Sequence, residues 1–274
     1  MIDERLVNQL VELAQAFDKI GITPVICGGL GLYLCSYKLD EQLRVTNAID
    51  LMLTQSQIIK QSQRNAIAEV IREGLHYMVC EGGEHFRFFK KPDQRLDILA
   101  PRVGDIETDD FRIKLVKSKL HGHITEEACF IEEDLRFISL SDILEGDKEV
   151  IDLEVAVPSP TNQLILKLCA FGDRNQGQRQ DTERAQAHAW DIYTIITLSQ
   201  REDYLEGQKF LSRHKSSDII QRVELIVKNH FSSVDKDGWL RVLETSAFYP
   251  DLNIQQKRDM LDEARRRLVR WFSV

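Results

Sequence analysis

No stretch of the chain approaches the roughly 20 consecutive apolar residues that a helix needs to cross a bilayer, so a membrane span is not expected. Nor is there a surplus of positive charge, since 36 Lys+Arg stand against 44 Asp+Glu and the formal net charge is -8. A nucleic-acid partner would therefore need a local basic patch. Cysteines are five in number and scattered (Cys27, Cys35, Cys80, Cys129, Cys169), with no CxxC pair, which argues for buried reduced thiols over a disulfide framework or a zinc site. Proline (6), glycine (14) and aromatics (8%) are too sparse for a low-complexity or collagen-like chain. The N-terminus, MIDERLVNQL, carries acidic residues where a signal peptide would carry lysines, and a cytoplasmic location is the expectation.

What remains is an ordinary globular composition, 274 residues long and 43% hydrophobic, enough for about two domains. Charge is uneven along it. Residues 201–274 hold 14 of the Lys/Arg and 12 of the Asp/Glu, leaving 22 against 32 in residues 1–200. The most basic segment is the last helix, with Lys257, Arg258, Arg265, Arg266, Arg267 and Arg270. A solvated helix end, favoured by the dipole, is the simpler reading of it than a nucleic-acid contact.

Periodicity divides the chain. Leu6, Leu10, Leu13, Phe17 and Ile20 mark an amphipathic helix over 4–20, closed by Gly21. A short buried strand over 24–27 runs into Gly28-Gly29 and a helical segment, Leu30–Leu34. Over 46–53, Ile49, Leu51 and Leu53 alternate with Ala48, Asp50 and Met52, a strand with one face to the core and the other open to a site. A helix over 56–73, capped by Ser56 and closed by Gly74, comes next. The segments 85–90 and 95–99 form a hairpin with Leu96 and Ile98 on one face, Arg95 and Asp97 on the other. Further strands are expected near 111–116, 119–124, 128–132 and 150–157. From Pro158 the pattern turns helical, over 160–172, 181–199, 202–213, 216–231 and 256–272. The fold class is thus α+β: a mixed β-sheet flanked by helices in residues 1–157, followed by a helical domain in residues 158–274.

Three pieces of the first domain can work together. Gly28-Gly29 lies between a strand and a helix, where bare amides at a helix N-terminus can approach a phosphate. Asp50 and Asp97 occupy the non-core faces of two strands, an arrangement that suits hard divalent cations. Taken singly, a tight turn and two surface aspartates would be equally ordinary readings. The pair His121 and His123 has metal-like spacing, but nothing near it in sequence completes a site.

The run Gly28-Gly29, Arg44-Val-Thr46-Asn-Ala48-Ile-Asp50-Leu and Arg95-Leu-Asp97-Ile-Leu resembles the nucleotidyltransferase superfamily related to DNA polymerase beta. The Arg-x-Thr spelling looks most like its AbiEii/MenT branch, the toxins of toxin–antitoxin and abortive-infection systems. Lys167 within Leu164-Ile-Leu-Lys-Leu, Arg174, and Asp191 within His188-Ala-Trp-Asp-Ile-Tyr are similar to that branch's later motifs, so the likeness spans about residues 22–196. It implies a nucleotidyltransferase fold and the transfer of a nucleoside monophosphate from an NTP to an acceptor hydroxyl, such as the 3′ end of a tRNA or other RNA, with a cognate antitoxin protein as partner. It also implies two Mg²⁺ ions on Asp50, Asp97 and a further aspartate, the triphosphate on Gly28, Gly29 and Lys167, and assistance from Arg44, Thr46, Arg174 and Asp191.

Two positions depart from that pattern: the family's first aspartate is here Ala48, the more serious departure, and Ala187-His188 stand where the family has Lys-Asp ahead of the later aspartate. Without the carboxylate at position 48, nucleotide binding should survive while phosphoryl transfer is cut severely, so this chain is expected to be weakly active or inactive. Ala48 is either natural degeneracy or an aspartate engineered away from a toxic enzyme; the retention of everything around it favours the second. Two other classes stay open: a small-molecule nucleotidyltransferase of the antibiotic-modifying kind, and a non-catalytic nucleotide-binding protein.

Overall fold

A computed structural model of the chain describes residues 4–36, 46–79, 85–91, 94–103, 122–144, 153–175 and 181–273. Arg44, Cys80, His121 and the strands expected over 111–116 and the start of 119–124 lie outside the described residues. The chain divides into two compact units, Met1–Ser159 and Pro160–Val274, meeting two residues beyond the boundary expected from the prolines. The α+β class holds, with the sheet confined, among the described residues, to the first unit.

The first unit runs α1 (Glu4–Asp18), β1 (Val25–Cys27), α2 (Gly28–Ser36), β2 (Ala48–Met52), α3 (Gln55–Ile59), α4 (Gln61–Glu69), β3 (Met78–Val79), β4 (Arg87–Lys91), β5 (Gln94–Ala100), β6 (His123–Ile124), β7 (Arg136–Ser139) and β8 (Glu154–Val157). These strands form one mixed sheet in the order β3-β4-β5-β2-β1-β8-β7, with β6 added beside β5. Strand β1 is antiparallel to β2 and parallel to β8, while β2 and β5 run parallel.

One face of the sheet is the core. Ile26, Ile49, Leu51, Phe88, Leu96 and Ile98 pack with Leu6, Leu10, Leu13 and Phe17 of α1, Leu30 and Leu34 of α2, and Ile67 and Ile71 behind them. Alternation then sends Ala48, Asp50, Arg95 and Asp97 to the opposite face. That face is not open along its whole length, for Met52 is as fully buried as its core-facing neighbours.

The helix expected over 56–73 is broken. Thr54, not Ser56, caps α3: its hydroxyl accepts from Gln57 N at 3.3 Å while the Gln57 side chain accepts from Thr54 N at 2.9 Å, a reciprocal pair that fixes the start two residues earlier. Lys60 is extended at φ -81 and ψ 108, which ends α3 and starts α4. The strand expected near 128–132 is instead a 3₁₀ turn, Glu126–Phe130, with Phe130 buried beneath it. Strands β3 and β7 were not expected; at two and four residues they are too short for alternation to register. Cys27 and Cys169 are buried as expected, but Cys129 is exposed.

The second unit has helices as its regular elements among the described residues: α5 (Pro160–Asn175), α6 (Thr182–Leu198), α7 (Arg201–Arg213), α8 (Asp218–His230), α9 (Asp237–Leu243) and α10 (Ile254–Phe272). Only α9 lacks a counterpart in the sequence reading. It is held by Trp239, whose indole N–H donates to Phe231 O at 2.8 Å and whose ring meets Phe231 edge-on at 5.2 Å. No helix of the described residues is long and apolar enough to cross a membrane.

Candidate functional site

The site is built where β1 ends. Gly28 has φ +65, a conformation side chains rarely adopt, and a Cβ there would collide with the carboxylate of Asp50. Backbone and carboxylate are thus in direct apposition, which only glycine permits. Gly29 follows, buried in the first turn of α2. Asp50 is the register partner of Cys27 on β1 and of Asp97 on β5. Since adjacent strands lie about 4.8 Å apart, the two aspartates stand side by side on the polar face.

Ala48 is the register partner of Arg95, and Arg87 of β4 is the register partner of Asp97. The two arginines converge on Asp97. Arg95 Nε donates to Oδ1 at 2.8 Å and its terminal nitrogen to Oδ2; Arg87 Nε donates to Oδ1 at 3.2 Å and its terminal nitrogen to Oδ2 at 3.4 Å. Both guanidinium forks are therefore bidentate on one buried carboxylate. The Arg87 guanidinium also lies 5.8 Å from the Phe86 ring centroid, and the Arg95 carbonyl accepts from Gln9 Nε2 at 2.9 Å, which ties β5 to α1. The same Gln9 amide donates to the phenol of Tyr77 at 2.7 Å, and burial pushes that phenol up to about 12, so it stays protonated.

Neither arginine stood among the expected site residues. The signal was available: Arg95 sits two residues before Asp97 and so shares its face, and a hairpin centred on 91–94 brings Arg87 opposite Asp97. Thr46 donates from its hydroxyl to Ala48 O at 3.3 Å, a local turn ahead of β2.

The remaining expected residues belong to the second unit. Lys167 of α5 and Asp191 of α6 form an ion pair, Nζ to Oδ2 at 2.6 Å, buried where these helices pack. Lys167 does not snorkel to the surface, and each residue is the other's counter-ion. Arg174 lies half-buried in the last turn of α5, where the helix dipole favours a cation.

The basic segment of α10 is largely neutralised within its own unit. Arg258 pairs with Asp235, Arg265 with Asp262 at 2.7 Å, and Arg266 with Asp262 at 2.9 Å. Arg267 donates to the carbonyls of Thr197 and Ser199 at 3.2 and 3.1 Å, completing the C-terminal end of α6. These bonds favour the structural reading of that helix over a nucleic-acid contact.

The donor set can be tested against two divalent ions. Among the described residues, Asp50 and Asp97 are the carboxylates brought into register on the polar face, Asp97 is engaged by two guanidinium groups, and position 48 supplies a methyl group. Among the described residues no three His, Cys, Asp or Glu side chains converge as a metal centre would require. Among the described residues, the side chains of this face do not make up the donor set for a pair of divalent ions. Comparison with protein-family models, with curated proteins and with solved structures finds no match.

Proposed function

We propose that the polar face around Gly28, Asp50 and Asp97 is a nucleotide site of the nucleotidyltransferase type. Its reaction would be transfer of a nucleoside monophosphate from an NTP to an acceptor hydroxyl, impaired in this chain by Ala48. The observation that carries the reading is the register of Asp50 with Asp97 on parallel neighbouring strands, beside a positive-φ glycine that presents bare backbone to the same carboxylate. In the transfer, the acceptor oxygen bonds to the α-phosphorus as the bond to the β-phosphate breaks and pyrophosphate leaves, so the protein's work is positioning and charge compensation. The amides of Gly28 and Gly29, at the positive end of α2, would receive phosphate oxygens. An aspartate in place of Ala48 would add a third carboxylate, two residues from Asp50 on the same face, and with it the donor set for Mg²⁺.

For the acceptor, the resemblance favours an RNA 3′ end and a toxin role checked by an antitoxin. A small-molecule acceptor is the second reading, favoured by the acidic balance of residues 1–200 and the neutralised arginines of α10. A non-catalytic nucleotide-binding protein is what Ala48 implies if it is native. The Ala48→Asp protein, incubated with Mg²⁺, each labelled NTP in turn and total tRNA, should place label from one nucleotide into RNA. If it labels neither RNA nor any small-molecule acceptor, the transferase reading fails. RNA binding should weaken steeply with salt, whereas a small acceptor would lack that slope.

A further inference from the structure

The least expected feature of the polar face is the saturation of Asp97. An ionised carboxylate offers about four lone-pair sites. Here Oδ1 accepts from Nε of both Arg87 and Arg95, and Oδ2 accepts from a terminal nitrogen of each, so four N–H donors occupy the four sites. A divalent ion would have to displace an N–H from Asp97 and approach two fixed positive charges.

From this we infer that Arg87 and Arg95 are built-in counter-cations that hold Asp97 out of metal coordination, and that they set the affinity of the polar face for divalent cations. The inference rests on the reading of Asp50 and Asp97 as the cation-facing pair. Position 48 belongs to the same device. Arg95 is its register partner, so a carboxylate there would stand beside the Arg95 guanidinium and compete with Asp97 for it. Ala48 supplies no such competitor. An aspartate at 48 would act twice, as a new ligand and by drawing the clamp off Asp97.

The test is a Mn²⁺ titration followed by electron paramagnetic resonance, on the full chain as written and on Arg95→Gln, Ala48→Asp and the two combined, each first shown to be folded by its thermal melt. Removing Arg95 should tighten Mn²⁺ binding about tenfold or more in both backgrounds, since one unit charge a few ångströms from a divalent ion is worth at least that even in a high dielectric. Adding Asp97→Asn should abolish the gain. Should Arg95→Gln fail to fold, Arg87→Gln loosens the same clamp from the other strand and is held to the same expectation. If Ala48→Asp tightens Mn²⁺ binding and neither arginine substitution changes it, the counter-cation inference is overturned while the site reading stands. If no variant binds Mn²⁺ in a way that Asp50→Asn weakens, the cation-facing reading falls and the inference with it.

Discussion

At the scale of single residues, two contacts carry most of the consequence. Gly28 has a double reason to be glycine, its left-handed φ and the Asp50 carboxylate where a Cβ would stand. The first costs about 1–2 kcal/mol for any other residue and the second adds steric strain. Gly28→Ala should therefore lower the melting temperature, and the loss should shrink in an Asp50→Ala background, where only the φ penalty remains. Additive losses in the double-mutant cycle would mean that the two groups do not meet. Lys167 and Asp191 make the opposite case, a buried ion pair in which each charge offsets the burial of the other. Lys167→Met should cost about 3–5 kcal/mol in denaturant unfolding because it takes the cation away from the buried Asp191 carboxylate, and Lys167→Met with Asp191→Leu should recover most of that. If the single substitution is no worse than the double, this pair does not hold α5 to α6.

At the scale of elements, the second unit is tied where three helices end or begin. Asp237, the first residue of α9, accepts from His230 Nδ1 at 2.9 Å in the last turn of α8 and from Asn175 at the end of α5, while Arg241 Nε donates to Asn175 Oδ1 at 2.8 Å. Burial by itself would raise the Asp237 carboxyl, but the hydrogen bonds from His230 and Asn175 and the His230 charge outweigh it and hold the carboxyl below the ordinary carboxylate range. A lowered folded-state value contributes stability above the unfolded value and loses it as pH falls through the folded one. The melting-temperature margin of the chain over Asp237→Asn should thus be full at neutral pH and close as pH is lowered below about 4. A margin that stays constant down to pH 3 would remove Asp237 from this role. The element scale also shows what the sequence could carry. Five of the six helices described in the second unit have a counterpart in the sequence pattern; α7, α8 and α10 bury one apolar stripe each, whereas α5 and α6 are buried on nearly every side. Short α9 escapes because one tryptophan, not a stripe, secures it. Thr54 is legible as the first residue of Thr-Gln-Ser-Gln, a reciprocal cap, although Ser56 two residues on is an equally good capping residue by type.

At the scale of the whole molecule, the change of period at the prolines 158 and 160 marks a passage from strand to helix, and the division between the two units falls after Ser159, between those prolines. The polar face was half legible. Asp50 and Asp97 follow from strand alternation, but their alignment depends on the register between β2 and β5, which are parallel and separated by more than 40 residues, and no local pattern fixes such a register. The arginine clamp depends on that geometry together with the hairpin and so stayed hidden, although each of its parts was in view. The account stands on this face of the first unit being where a nucleotide engages. The most direct test is hydrogen–deuterium exchange of the full chain, read by mass spectrometry with and without saturating NTP and Mg²⁺. The account predicts slowed exchange at residues 28–31, whose amides would meet the phosphates, and at residues 46–50 beside them. Unchanged exchange there, with protection confined to residues 160–274 or absent altogether, would contradict it.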